Sequence, residues 1–303
     1  MKILITVSSF GKYDQTPLNI IKKRGYEIKL NPYGRKLTKE ETISLYQDDV
    51  CGVIAGLEII DKEVINNASK LKVISRCGTG IDNIDIKEAK RKRIKIYNTP
   101  DSPSDAVAEL TTCLILALLR QVTLTDREIR RHEWNKRIGS LLKGKKIGII
   151  GMGKIGRKVA KIIEVFDTDI FYYDPNVNIH KYKKVSLNKL LEAADIVSLH
   201  AAYLKKNKHL IGKREIEKMK KDSFLINCSR GEIVDECALY SALKRGALKG
   251  AGLDVYADEP YHGPFAELDN VILTPHIGSY TKETRIQMEI ESAKNLLKGM
   301  GNG

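Results

Sequence analysis

At 303 residues, with 42% apolar and 30% charged, the chain has room for two domains with proper cores. Its longest apolar run, residues 113–119, falls far short of the roughly 18 residues of a membrane span, residues 1–7 are too short a stretch for a signal peptide, and five cysteines without a C-x-x-C pair read as reduced thiols of a cytoplasmic protein. The formal charge of +14 raises nucleic-acid binding, but the lysines are spread along the chain without interleaved aromatics, so no nucleic-acid or membrane partner is expected and anionic ligands suffice.

From the N-terminus, strand-like apolar runs at 3–7, 26–30, 50–54, 73–75 and 94–97 alternate with helical patterns, one of them opened by the capping box Thr38-Lys39-Glu40-Glu41. Asn98-Thr99-Pro100 breaks the series, and residues 104–119 follow as a long, largely apolar helix. A second alternating series begins near Lys145, with strands expected at 147–150, 170–173, 196–199, 224–227, 250–253 and 271–273. An amphipathic helix over about 282–297 closes the chain. Such alternation predicts parallel sheets built from βαβ units.

Between the first two strands of the second series lies Gly151-Met152-Gly153-Lys154-Ile155-Gly156. Gly151 permits a tight turn, Gly153 lets backbone approach a pyrophosphate, and Gly156 lets the helix pack on the strand. The free N–H groups around Lys154 and Ile155 would receive the phosphates. Asp174 ends the next strand at close to the roughly 20-residue spacing of the acid that holds the adenosine ribose, and a carboxylate there favours NAD over NADP. The fingerprint sits mid-chain, so a nucleotide-binding domain (99–279) is expected to be inserted into a first domain (1–98 plus 280–303).

Three further segments follow predicted strands: Asn227-Cys228-Ser229-Arg230-Gly231, Asp254-Val255-Tyr256-Ala257-Asp258-Glu259-Pro260 and Thr274-Pro275-His276-Ile277-Gly278. Open α/β sheets bind ligands at that edge. Oxidising a secondary alcohol needs a base for its proton, and imidazole titrates in the right range. A carboxylate beside the histidine would orient it and favour imidazolium. A guanidinium would grip a substrate carboxylate through two hydrogen bonds.

In this order the segments resemble the D-isomer-specific 2-hydroxyacid dehydrogenase family, a likeness that extends to Ser75-Arg76-Cys77-Gly78-Thr79-Gly80-Ile81-Asp82-Asn83 and Asn98-Thr99-Pro100. The resemblance implies an α/β protein of two doubly wound parallel sheets, a Rossmann NAD-binding domain inserted into a flavodoxin-like substrate domain. It implies Arg230 as substrate binder, Glu259 as support for the base and His276 as the acid/base. Cys228 and Ser229 would line the cofactor, Asp254 would contact the nicotinamide carboxamide near Gly278, and the Gly78-Thr79-Gly80 loop would offer backbone N–H groups to the substrate carboxylate. It further implies a homodimer through the nucleotide domain and the helix at 104–119.

The Arg76–Asn83 stretch is most similar to 3-phosphoglycerate dehydrogenases, which makes 3-phosphoglycerate the favoured substrate. Two departures stand against that branch. Ala55-Gly56-Leu57-Glu58 replaces an Arg-Ser pair, so substrate phosphate would need Arg76, or Lys136 and Arg137 reaching across a dimer. Ala201-Ala202-Tyr203 replaces a proline-containing turn. Glu58 near the site would repel phosphate and favour glyoxylate, hydroxypyruvate or a D-lactate-like acid. The chain leaves no room for a C-terminal regulatory domain, so serine feedback through one is not expected. An NAD-sensing, corepressor-like binding protein is the reading from another class.

Overall fold

A computed structural model describes residues 1–301, and the chain in it divides into two compact units: Met1–Pro103 with the chain from Tyr280 onward, and Ser104–Ser279. The division falls five residues later than the sequence suggests. Residues 98–102 bond back to the first unit: Thr99 N–H donates to Gly78 O (3.0 Å), Asn98 Nδ2 to Thr79 O (2.7 Å) and Ser102 Oγ to Glu291 (2.5 Å).

In the first unit, strands β1 (Lys2–Ile5), β2 (Glu27–Leu30), β3 (Val50–Ala55), β4 (Val73–Arg76) and β5 (Lys95–Tyr97) form one parallel sheet in the order β2-β1-β3-β4-β5. This is the flavodoxin-like winding. Helices α1 (Thr16–Lys22), α2 (Lys39–Gln47), α3 (Lys62–Asn67) and α4 (Ile86–Arg91) connect the strands. Every residue of β3 is buried, because both sheet faces are covered. Leu4 and Val53 pack with Tyr46 and Val64 on one face, while Ile3, Ile5 and Ile54 meet Leu296 on the other. The capping box of α2 forms as expected, with Glu41 N–H donating to Thr38 Oγ1 and Thr38 N–H to the Glu41 carboxylate.

The second unit opens with α5 (Ser104–Arg120) and α6 (Val122–Arg130), separated by Gln121 in the left-handed region. Then come β6 (Lys146–Ile150), α7 (Lys154–Ile163), β7 (Asp169–Tyr173), β8 (Lys183–Lys184), α8 (Leu187–Ala193), β9 (Ile196–Leu199), α9 (Lys213–Glu217), β10 (Phe224–Asn227), α10 (Glu236–Lys244), β11 (Gly250–Leu253) and β12 (Val271–Leu273). The sheet order is β12-β11-β10-β9-β6-β7-β8, all parallel. Read from β8, this is the Rossmann order with one strand added, and it reverses between β6 and β9. Alternate residues feed alternate faces: Ile150 and Leu225 join one core layer, Ile149 and Ile226 the other, against α5. The closing helix α11 (Lys282–Gly299) belongs to the first unit and packs on β4 and β5. Among the described residues no single helix is long and apolar enough to cross a membrane.

Candidate active site

The fingerprint turn joins β6 to α7 at the point where strand order reverses. Gly151 has φ +93°, a conformation that favours glycine, and a Cβ there would lie 2.6 Å from the Ala201 amide nitrogen. A Cβ at Gly156 would run into the carbonyl oxygen of Gly151, so the first turn of α7 sits directly on the fingerprint. Gly153, the N-cap of α7, is exposed with open space where its Cβ would be, and Lys154 beside it is exposed. An open glycine at the start of a ten-residue helix is a cradle suited to a diphosphate.

Asp174 follows β7 and is buried, but it does more than wait for a ribose. One oxygen accepts the Met152 amide (2.8 Å) and the other those of Asn176 (2.8 Å) and Val177 (3.0 Å). The same carboxylate therefore braces the fingerprint turn, with lone-pair capacity left for hydroxyl donors. Together the cradle and the acid fit NAD: Gly153, Lys154 and Ile155 would hold its phosphates and Asp174 its adenosine ribose.

Arg230, Glu259 and His276 follow β10, β11 and β12, three adjacent strands, and so stand at one sheet edge. Asn227, the last residue of β10, shapes the first turn: its Oδ1 accepts from Ser229 N–H and Oγ–H, and its Nδ2 donates to Arg230 O. Arg230 Nη1 donates to Ser229 O (2.7 Å). Gly231 is packed so tightly on the backbone of Tyr256 and Ala257 that no side chain fits there.

His276 Nδ1 lies 2.9 and 3.1 Å from the two oxygens of Glu259, and Glu259 also accepts the Tyr256 amide (3.2 Å). A carboxylate only accepts, so Nδ1 carries the proton and Nε2 is the nitrogen left to exchange one with a ligand. The His276 backbone is left-handed, at φ +55°. Asp254 holds it there: Thr274 Oγ1 (2.7 Å) and the amides of Ile277 (2.8 Å) and Gly278 (2.8 Å) all donate to its buried carboxylate. Burial pushes the Asp254 carboxyl above its usual range, and those three donors oppose the shift. The resemblance puts Asp254 at the carboxamide; its conspicuous work in the structure is bracing the His276 loop.

Several expected roles change. The Cys228 thiol is buried in the core of the second unit and pushed up to about 12 by burial. Glu58 does not face a ligand: it is 1% exposed and accepts from Thr6 Oγ1 (2.5 Å) and the Tyr46 hydroxyl (3.0 Å). Arg76 is buried too, its guanidinium under Gly78 and donating to Cys77 O, and the Gly78 amide donates to Arg76 O (3.0 Å). Neither Arg76 nor the Gly78 amide is thus offered outward as the sequence suggests, whereas Thr79 is exposed and Gly80 half-buried. Arg137 is held by Glu128 of its own chain (2.5 and 3.0 Å).

Residues 112–278 match the D-isomer specific 2-hydroxyacid dehydrogenase, NAD binding domain. The chain is 42% identical over 253 residues to a glyoxylate reductase of Thermococcus litoralis, covering 78% of this chain and 76% of that one. The chain belongs to the D-isomer-specific 2-hydroxyacid dehydrogenase family. By family it is an NAD-dependent oxidoreductase. It is also 40% identical over 276 residues to the D-3-phosphoglycerate dehydrogenase of Methanocaldococcus jannaschii, covering 87% of this chain but 52% of that relative, so it spans about half that protein's length. Among solved structures it is similar to a protein of Thermus thermophilus (TM-score 0.93, 34% identity, 99% and 97% of the two chains). It is also similar to the Aquifex aeolicus D-lactate dehydrogenase complexed with NAD and lactic acid (TM-score 0.86, 28% identity, 99% and 96%).

Proposed function

We propose that this dehydrogenase interconverts a D-2-hydroxy acid and its 2-oxo acid, with Arg230, Glu259 and His276 as its catalytic residues. The observation that carries the reading is the His276–Glu259 pair, 2.9 Å apart, on a left-handed loop locked by Asp254. Bound NAD supplies the hydride acceptor or donor. His276 Nε2 takes the hydroxyl proton in oxidation and returns it in reduction, while Glu259 keeps Nδ1 protonated and the ring aimed. Arg230 grips the substrate carboxylate and polarises the carbonyl. Replacing His276 with Ala should cost about 10²–10⁴ in kcat; near-normal turnover of a 2-oxo acid with NADH would refute the assignment.

For the substrate we favour 3-phosphoglycerate, which would place the reaction in serine biosynthesis. The objection that Glu58 repels phosphate loses its basis, since that carboxylate is turned into the core of the first unit. The likeness of the Arg76–Asn83 stretch to 3-phosphoglycerate dehydrogenases supports the same choice. A non-phosphorylated acid such as glyoxylate is the second reading, favoured by exposed Leu57 and Ile59 after β3 and by the burial of Arg76. Comparing kcat/KM for 3-phosphoglycerate with D-glycerate, D-lactate and glyoxylate decides: no advantage from phosphate removes the first choice.

A cytoplasmic homodimer completes the proposal. Trp134 is 79% and Ile138 94% exposed on a segment without helix or strand, an apolar surface that a second copy would cover. A monomer in sedimentation at micromolar concentration would refute it.

A further inference from the structure

Glu236, the first residue of α10, has no part in the chemistry just described, yet its carboxylate accepts the Ala257 amide at 2.7 Å. That amide lies two residues before Glu259. The same short loop is gripped elsewhere as well. Gly231 packs against the backbone of Tyr256 and Ala257, and the Tyr256 ring stacks on Tyr261 with centroids 4.2 Å apart. The Tyr256 hydroxyl lies 3.0 and 3.1 Å from the carbonyls of Leu253 and Thr274, reaching toward the His276 turn. Of these grips, the bond to Glu236 is the one made by a carboxylate from outside the loop. Burial raises the Glu236 carboxyl above its usual range, and the charges of Glu232, Asp258 and Glu259 add to the rise, while the Ala257 amide opposes it.

We infer that Glu236 is a positioning residue: by holding the Ala257 amide it fixes the 256–259 loop and so aims Glu259 at His276 Nδ1. The inference rests on the proposed roles of Glu259 and His276. Because Arg230 and Gly231 precede Glu236 on the same stretch of chain, the bond also ties the substrate-binding turn to the loop that orients the base. Glu236 acts through Glu259 and touches no reacting atom.

The test is steady-state reduction of the best 2-oxo acid with NADH by the intact protein. Glu236→Ala should lower kcat about tenfold, a fraction of what a positioned base contributes, with KM for NADH within about twofold. Glu236→Gln, whose amide oxygen can still accept from Ala257, should regain most of that loss. In a Glu259→Gln background the alanine change should add little, because the group it aims is already disabled. Wild-type kcat in Glu236→Ala, or a full additional loss in the double variant, overturns the inference. Should the alanine variant fail to fold, Glu236→Asp takes its place, since the shorter side chain falls back from Ala257; unchanged kcat there overturns it equally. If His276→Ala is itself as active as wild type, the reading of the site fails and this inference with it; loss in His276→Ala with a normal Glu236→Ala defeats this inference alone.

Discussion

Asp254 is where the structure makes its sharpest demand. Replacing it with Ala removes the acceptor for the buried Gly278 amide, for the half-buried Ile277 amide and for the Thr274 hydroxyl, which can turn elsewhere. Each amide left without a partner costs about 1–3 kcal/mol. Removing a carboxylate whose burial already raises its pKa offsets part of that, leaving a net loss of about 3 kcal/mol. For a unit of this size that is a fall of about 6–12 °C in Tm. Asp254→Asn keeps one oxygen, enough for Ile277 and Thr274 but not Gly278, and should lose about a third as much. Both variants should also lose turnover, because the left-handed His276 backbone depends on the bracing. Calorimetry without NAD isolates the bracing from any cofactor contact. An alanine variant that melts with the wild type and keeps its kcat would show that the carboxylate does not hold the loop.

Two further perturbations test the cofactor site and the acid response. Gly153→Ala meets nothing within 4 Å, so Tm should stay within a degree or so while KM for NADH rises about tenfold or more as the methyl occupies the phosphate cradle; Gly151→Ala, crowded and at φ +93°, should lower Tm instead, and the reverse pattern would refute the placement. His200 presents its Nε2 to Ser198 Oγ (2.8 Å), and although the residue keeps some exposure its Nδ1 is sealed without a partner, so burial lowers it from 6.5 to about 3. A depressed pKa favours the neutral ring in the fold, so this stability is whole above pH 6.5 and drains away as pH falls toward 3, by at most on the order of 5 kcal/mol. His200→Asn should flatten the fall of the urea midpoint between pH 6 and 4; curves parallel to wild type would contradict the argument.

What can be read in the sequence, and what cannot, divides along a physical line. Strands β9, β10, β11 and β12 fall where expected because nearly all of their residues are buried, so each is marked by a short run with no charged residue. The fingerprint is legible because geometry forces glycine at Gly151 and Gly156. Strand β8 is not, since Lys183 and Lys184 are exposed and only their pairing with β7 makes them a strand. Helix α6 is equally hard to see; only Glu128 on it is buried, so it shows little apolar stripe. Side-chain direction is the larger loss. Distance from strand ends places Glu58 and Arg76 near a ligand, yet both turn inward, and spacing along a loop has no period that would tell.

The short polar residues at the strand ends of the second unit show why. Asn227, Asp174 and Asp254 each end or follow a strand, and each accepts amides of the turns beside it. Asn and Asp suit this work because their short side chains reach backbone N–H groups that the sheet ladder has released. The device repeats along the edge where ligands of such sheets bind. A carboxylate there is therefore ambiguous from sequence: it can serve the loop, the ligand or, as Asp174 does with capacity to spare, both. Glu259 escapes the ambiguity because its two oxygens meet one imidazole nitrogen, an arrangement a backbone brace alone does not require.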